Sequence, residues 1–203
     1  MNMKLLSLIP ILLLFISGCS IRPEAKPPIT QYYLKPDISL SCPPSPSQKV
    51  VRLSIIETTP YLSTQNIIYT KPDLTAGSYL YSRWNRLANR SISTALYTAF
   101  KENSVFDNLV YENRMIRSDI TLEVKVLKFE HRFSDDEHSH GLVVLDAMIY
   151  DSRTRELLKN RLFRSEVKAQ TNDARGGVEA LNTALGKLLS DLVCWSTEEV
   201  SLY

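Results

Sequence analysis

The chain has 203 residues, with 24 Lys and Arg against 22 Asp and Glu. This length is sufficient for one domain with a substantial core. The near-neutral charge and the lack of a basic block exclude a typical nucleic-acid-binding surface. After the N-terminus, no segment approaches the roughly 20 apolar residues of a membrane-spanning helix.

Residues 1–18 have the anatomy of a secretory signal: one charge at Lys4, an apolar run from Leu5 to Ile16, and small residues at the end. The apolar run is too short to span a bilayer. Its continuation, Ile16-Ser17-Gly18-Cys19, resembles a lipobox, in which the cysteine thiol receives diacylglycerol before cleavage. We therefore predict a signal peptide over 1–18 and lipidation at Cys19, so that acyl chains hold the mature chain on a membrane. An ordinary signal followed by an unrelated cysteine is the alternative.

Residues 19–48 are predicted to form a tether, because seven of the ten prolines lie there and proline favours extended, poorly hydrogen-bonded chain. A short island over 31–35 is β-prone and could pair with a sheet. The periplasmic domain is predicted over 49–203.

Two cysteines remain once Cys19 is assigned to lipid, and an exported protein meets an oxidising environment. Cys42 and Cys194 could form a disulfide that ties the start of the domain to its last helix. They could also stay as two buried free thiols. We favour the disulfide.

The first part of the domain shows two strands and a helix. Val51, Leu53 and Ile55 alternate with polar residues, which predicts a strand, and residues 66–70 predict a second, shorter one. From Tyr79 to Phe100 the apolar residues recur at helical spacing, so we predict a helix with Ser78 as its N-cap and a stop at Asn103.

The second part predicts further strands over 109–111 and 119–133, a central strand over 142–150, and a last strand through Phe163 and Val167. The apolar parity switches after Val126, which indicates a bulge. Asn172 or Asp173 caps a final helix whose buried stripe ends at Trp195. The order predicts an α+β fold, an antiparallel or mixed sheet with two helices packed on one face.

Residues 135–140 hold the only cluster that resembles a chemical site, with three acids and two histidines. The spacing could suit a metal, but a position between two strands favours a solvated hairpin tip, and we predict no metal site. We find no nucleophile, zinc or phosphate-loop motif. His131 is predicted to be structural. We therefore expect no catalytic residues, no cofactor and no enzymatic activity.

Several short motifs, in a fixed order behind the lipobox, resemble the ABC-type transport auxiliary lipoproteins over roughly residues 31–195. They are Pro60-Tyr61-Leu62, Ile67-Ile68-Tyr69, Ser82-Arg83-Trp84, Ser118-Asp119-Ile120 and the turn from Asp151 to Glu156. Ser63 and Thr70 stand where the family commonly has Asp and Arg, which bears on partner contacts rather than on the fold.

The resemblance implies a non-enzymatic role beside an ABC permease, its ATPase and a mammalian-cell-entry (MCE) domain protein, in moving phospholipids or other hydrophobic molecules. It also implies an outer-membrane location facing the periplasm, because Ser20 follows the lipidated cysteine, and self-association into a ring. Among the motif residues, Tyr61 and Leu62 lie in a loop near Pro60, and Arg83 lies on the exposed side of the predicted helix, so these three are the expected partner contacts. Trp84 lies on the apolar face of that helix and is expected in the core. A pilotin or assembly factor for an outer-membrane machine, and a periplasmic hydrolase, remain the alternatives.

Overall fold

The computed structural model describes residues 26–42, 48–57, 59–111 and 115–203. The predicted signal peptide and Cys19 lie outside these residues. Among the helices of the described ranges, none combines the length and apolar character needed to cross a membrane.

The described chain forms one mixed sheet of eight strands and two α-helices, which confirms the predicted α+β class. In chain order the elements are β1 (Thr30–Tyr32), β2 (Val50–Glu57), a 3-10 helix (Pro60–Ser63), β3 (Asn66–Thr70), β4 (Ala76–Trp84), α1 (Ala88–Glu102), β5 (Asn108–Tyr111), β6 (Ile120–Phe133), β7 (Ser139–Asp151), β8 (Leu157–Lys168) and α2 (Ala174–Ser201).

β6 is the central strand of the sheet and has paired strands on both sides. On one side it pairs with β7 along its whole length, and β8 continues the sheet from there. On its other side, the first half of β6 pairs with β2 and the end of β6 pairs with β3, both in parallel. β4 and β1 extend the sheet beyond β3, and β5 extends it beyond β2. The pairing register slips between Val126 and Lys128, so the predicted bulge is confirmed.

Both helices contribute to a single hydrophobic core against the sheet. The predicted stripe of α2 is buried from Val178 to Trp195, and Asp173 is its N-cap, accepting a hydrogen bond from the Gly176 amide. α1 contacts both β2 and α2, so the two helices share one layer.

The predicted helix over 79–100 is wrong in its first part, because residues 76–84 form strand β4 and α1 begins only at Ala88. Ser78 is therefore not a helix N-cap. Tyr79 is half-buried and Leu80 is 76% exposed, an alternation that suits a strand. Pairing of β4 with β3 on one side and β1 on the other satisfies its backbone groups, so tertiary contacts override the local helical spacing.

The packed body extends further toward the N-terminus than the predicted boundary at residue 49. β1 pairs with β4, and residues 33–42, which we call the strap, then run along α2. The Lys35 amide donates to Asn182 Oδ1 at 2.6 Å. Further along, a Cβ at Gly186 would lie 2.1 Å from the Asp37 carbonyl oxygen, so the strap can lie this close only because residue 186 is glycine.

Candidate functional site

The strap ends at a disulfide. Cys42 and Cys194 are bonded in the structure, with an S–S distance of 2.14 Å and a Cα–Cα distance of 5.4 Å. The Cα–Cα distance lies within the range that a disulfide spans without backbone movement. The bridge joins the end of the strap to the last third of α2.

The residues expected to touch a partner lie closer to the core than the sequence suggests. Leu62 is 2% exposed, and Tyr61 packs half-buried against the core. Burial is the main cause that raises the pKa of the Tyr61 hydroxyl, and a hydrogen bond with the Phe129 backbone opposes this rise. Leu62 therefore acts as a core residue in this chain.

Arg83 lies on strand β4 and is half-buried, not on the exposed side of a helix. Its Nε is buried and has no hydrogen-bond partner among the described residues. Trp84, next in the chain, is 2% exposed and packs against Phe129 with ring centroids 5.7 Å apart, which confirms its expected core position.

In the loop with three acids and two histidines, Asp135 forms hydrogen bonds with other residues of the same loop. Asp135 Oδ1 accepts hydrogen bonds from the amides of Glu137 and His138, and His138 Nδ1 lies 2.9 Å from the same oxygen. The Glu137 amide is the main cause that lowers the pKa of Asp135, with His138 as a further cause. In the part of the chain that the structure describes, no three His, Cys, Asp or Glu residues are arranged to hold a metal.

A groove of about 1650 Å³ lies at the end of the sheet where β2 and β6 begin and β7 ends. A hydrogen-bonded network of polar side chains forms part of its wall. Arg52 Nε donates to Ser118 Oγ at 3.1 Å, and its terminal nitrogen donates to the Ile116 carbonyl. Ser152 Oγ lies 2.9 Å from Ser118 Oγ and 2.8 Å from Thr121 Oγ1. The network fixes residues from three separate segments on one wall.

The groove is lined by five cationic and three acidic side chains, so we call it the basic groove. The cations are Lys49, Arg52, Arg117, Arg153 and Arg155. The acids are Asp119, Glu123 and Asp151.

The acids of the basic groove are engaged by neighbours. Asp119 Oδ2 accepts from the Val50 amide at 2.8 Å, and Asp151 Oδ1 accepts from the amides of Arg153 and Thr154. The Thr154 amide is the main cause that lowers the pKa of Asp151. Glu123 lies 3.7 Å from Lys125. These bonds leave the carboxylates charged, but the five cations outnumber the three acids, so the groove has a net positive lining beside apolar walls, which favours binding of an anionic group or an acidic protein surface.

A second polar feature pairs the half-buried Tyr79 with a fully buried histidine. The Tyr79 hydroxyl lies 2.7 Å from Nδ1 of His131, whose ring is 0% exposed and whose Nε2 has no hydrogen-bond partner among the described residues. A Cβ at Gly177 would lie 2.4 Å from Nδ1, so α2 approaches this ring through a glycine.

Burial is the main cause that lowers the pKa of His131 to about 4. Asp173 opposes this shift, and His140 adds to it. Burial also raises the pKa of Tyr79. Both groups are neutral at neutral pH, which fits the structural role predicted for His131.

Residues 32–193 match the protein family described as the ABC-type transport auxiliary lipoprotein component. The chain belongs to this family. The match covers the whole strap, strands β2 to β8, α1, and α2 as far as residue 193, so it includes the strands that position the groove and both residues of the Tyr79–His131 pair.

Solved structures share the fold of this auxiliary lipoprotein at low identity. Protein XCC0632 from Xanthomonas campestris is 18% identical with a TM-score of 0.74, covering 85% of this chain and 97% of its own. The hypothetical protein CT253 from Chlamydia trachomatis is 8% identical with a TM-score of 0.52, covering 77% of this chain and 100% of its own. A search of curated proteins finds no match to the auxiliary lipoprotein.

Sequence reasoning missed the basic groove because its residues come from three distant segments. In the sequence Arg52 is only one polar residue of an alternating strand, and Ser118 and Ser152 lie 34 positions apart. Adjacent serine and arginine, as in Arg117-Ser118 and Ser152-Arg153, also occur outside the groove, as in Arg164-Ser165, so the local sequence gives no specific signal. Strand pairing of β6 with β7 brings the first two pairs together.

Proposed function

We propose that this auxiliary lipoprotein is a non-catalytic periplasmic component of an ABC transport system of the MCE type, which moves phospholipids or other hydrophobic molecules between membranes. Lipid at Cys19 holds it on the outer membrane, facing the periplasm. Its partners are an MCE-domain protein and the permease and ATPase of the system, and copies of the chain assemble into a ring. The family match over residues 32–193 carries this proposal, together with the lipobox.

The basic groove is the surface that we propose for docking an acidic patch of a partner protein. Arg117, Arg153 and Arg155 are exposed on its rim. Since Leu62 is buried and Tyr61 and Arg83 are half-buried, these three expected positions offer a partner less surface than the groove does. Complementary charge mainly speeds encounter and selects the partner.

Reversing two rim charges together, Arg117→Glu and Arg153→Glu, should reduce co-purification of the MCE-domain protein or permease about tenfold, because each reversal removes an attraction and adds a repulsion. The measurement is affinity purification after cross-linking in native membranes, with quantitative mass spectrometry. The matched control reverses Lys101 and Lys187, which are exposed on the two helices and outside the groove.

Equal recovery from the groove variant and the helix variant would show that the groove does not dock the partner. Recovery of a β-barrel or a secretin, without any permease or MCE-domain protein, would overturn the transport proposal in favour of an assembly factor.

A further inference from the structure

Leu74, in the turn between β3 and β4, combines two features that do not help folding. Its side chain is 95% exposed, the largest exposure among the apolar side chains of the described residues. Its φ angle is +65°, in the left-handed region that glycine and asparagine tolerate and a leucine rarely adopts. Strained residues of this kind persist mainly at functional sites.

The turn holds Leu74 outward in a defined geometry. The Lys71 amide donates to the Thr75 carbonyl at 2.9 Å, and the Leu74 amide donates to the Lys71 carbonyl at 3.2 Å. Asp73 Oδ1 accepts from both the amide and the hydroxyl of Thr75. We call residues 71–75 the β3–β4 tip. It is braced by its own hydrogen bonds while its apolar side chain has no packing role.

The N-terminal end of β1 points toward this tip. β1 runs parallel to β4, with Thr30 beside Ser82, so β1 followed back from Tyr32 to Thr30 points toward the start of β4 and the tip. Ser82 is eight residues from Leu74, or about 26 Å along a strand. Cys19 is eleven residues before Thr30, a contour length of about 36–40 Å. An anchor at Cys19 can therefore hold a membrane at the tip with some chain to spare.

The residues around the tip set how deep a membrane contact can be. Because β3 and β6 are parallel, the acidic β6–β7 turn lies at the same end of the sheet. Its carboxylates favour water, which limits a membrane contact to the outermost part of the tip.

We propose that the β3–β4 tip rests in the interfacial region of the bilayer that carries the acyl anchor, with the Leu74 side chain among the lipids. This inference rests on the proposed lipid anchoring at Cys19. It orients the domain on the membrane. The β3–β4 tip contacts the bilayer, and the basic groove, at the opposite end of β6, faces away from it.

The test places a tryptophan at the tip of the full lipidated protein in phosphatidylethanolamine and phosphatidylglycerol vesicles that contain brominated lipids. The native Trp84 and Trp195 are 2% and 5% exposed and give a constant background. We expect the added fluorescence of Leu74→Trp to be blue-shifted and quenched by the brominated lipids. The matched control, Arg153→Trp on the rim of the basic groove, should be neither shifted nor quenched.

Flotation with the vesicles separates this inference from the proposed function. Protein that fails to float would contradict anchoring itself. Protein that floats while Leu74→Trp stays unquenched would overturn only the membrane contact of the tip. A blue shift of Leu74→Trp that depends on protein concentration and needs no vesicles would assign the tip to a second copy of the chain, and would also overturn the inference.

The substitution Leu74→Gly checks whether the leucine serves the fold instead. Glycine adopts a positive φ without steric cost, so this variant should melt at a higher temperature than the wild type. Circular dichroism melts of both proteins in detergent provide the measurement. A lower melting temperature for the glycine variant would indicate that Leu74 stabilises the domain and would contradict the membrane role.

Discussion

Replacing Cys42 and Cys194 together by serine should lower the free energy of unfolding by about 2–5 kcal/mol. The bridge spans 152 positions of the chain, so it removes much of the freedom of the unfolded state. The loop-closure contribution grows slowly with length and reaches about 5 kcal/mol for a loop of this size, which is the upper figure.

The same substitution should release the strap. Without the bridge, the strap is held by contacts that include the hydrogen bonds to Asn182, the close approach of Asp37 to Gly186 and the packing of Leu34, Ile38 and Leu40. β1 is only three residues long and lies at the edge of the sheet. Limited proteolysis should therefore cut the strap in the double-serine variant much faster than in the oxidised wild type.

Urea unfolding with and without reductant measures the effect. Reductant should lower the midpoint of the wild type to that of the double-serine variant and should leave the variant unchanged. A wild-type midpoint that does not respond to reductant would show that the bridge contributes nothing to stability.

The sequence predicted the structure best where the spacing of apolar residues matches the side chains that the fold buries. Residues 66–70, the bulge after Val126 and the cap at Asp173 were predicted within a residue or two, because each depends on a local pattern or on a side chain that bonds its own backbone. The sequence also suggested pairing of Cys42 with Cys194 from compartment and count alone.

The errors occurred where distant segments decide the outcome. Residues 76–84 carry apolar side chains at helical spacing, yet their backbone pairs with β3 and β1. The burial of Leu62 depends on how the 3-10 helix packs against α1 and β3, which no local pattern records. The basic groove likewise exists only after β6 and β7 pair. Short motifs indicated the family but did not distinguish core positions from surface positions.

The disulfide, the tether and the two ends of the sheet fit one mechanical arrangement. With the anchor that we propose at Cys19, a pull on the lipid would act first on β1 and then along the strap, and the bridge to α2 would stop the detachment at Cys42. Without the bridge, detachment could continue to Val50, where β2 begins. Under this proposal the bridge limits how far the basic groove, at the far end of the roughly 46 Å length of β6, can move from the membrane.

Acid should destabilise the wild-type protein through His131, by up to about 3 kcal/mol between pH 6.5 and pH 4. The pKa of this histidine is about 4 in the folded protein, because burial disfavours its charged form, against an ordinary value near 6.5 in the unfolded chain. Between these values the unfolded chain binds a proton that the folded protein does not bind. Stability is therefore highest above pH 6.5 and falls as the pH falls.

The double variant His131→Phe with Tyr79→Phe should lose this acid dependence. It removes the titrating ring together with the hydroxyl that bonds to it, so no polar partner is left unpaired. The control is His138→Ala, since His138 is exposed and its removal leaves the His131 proton in place.

Urea unfolding at pH 7.5, 6.5, 5.5 and 5.0 measures the slope while most carboxyl groups remain ionised in both states. We expect the wild type and His138→Ala to lose stability over this range and the double phenylalanine variant to stay nearly level. Equal slopes in all three proteins would show that His131 is protonated as easily in the folded state as in the unfolded one. In that case the surroundings of His131, which include Gly177, Asp173 and Tyr79, would accommodate the positively charged imidazole without loss of stability.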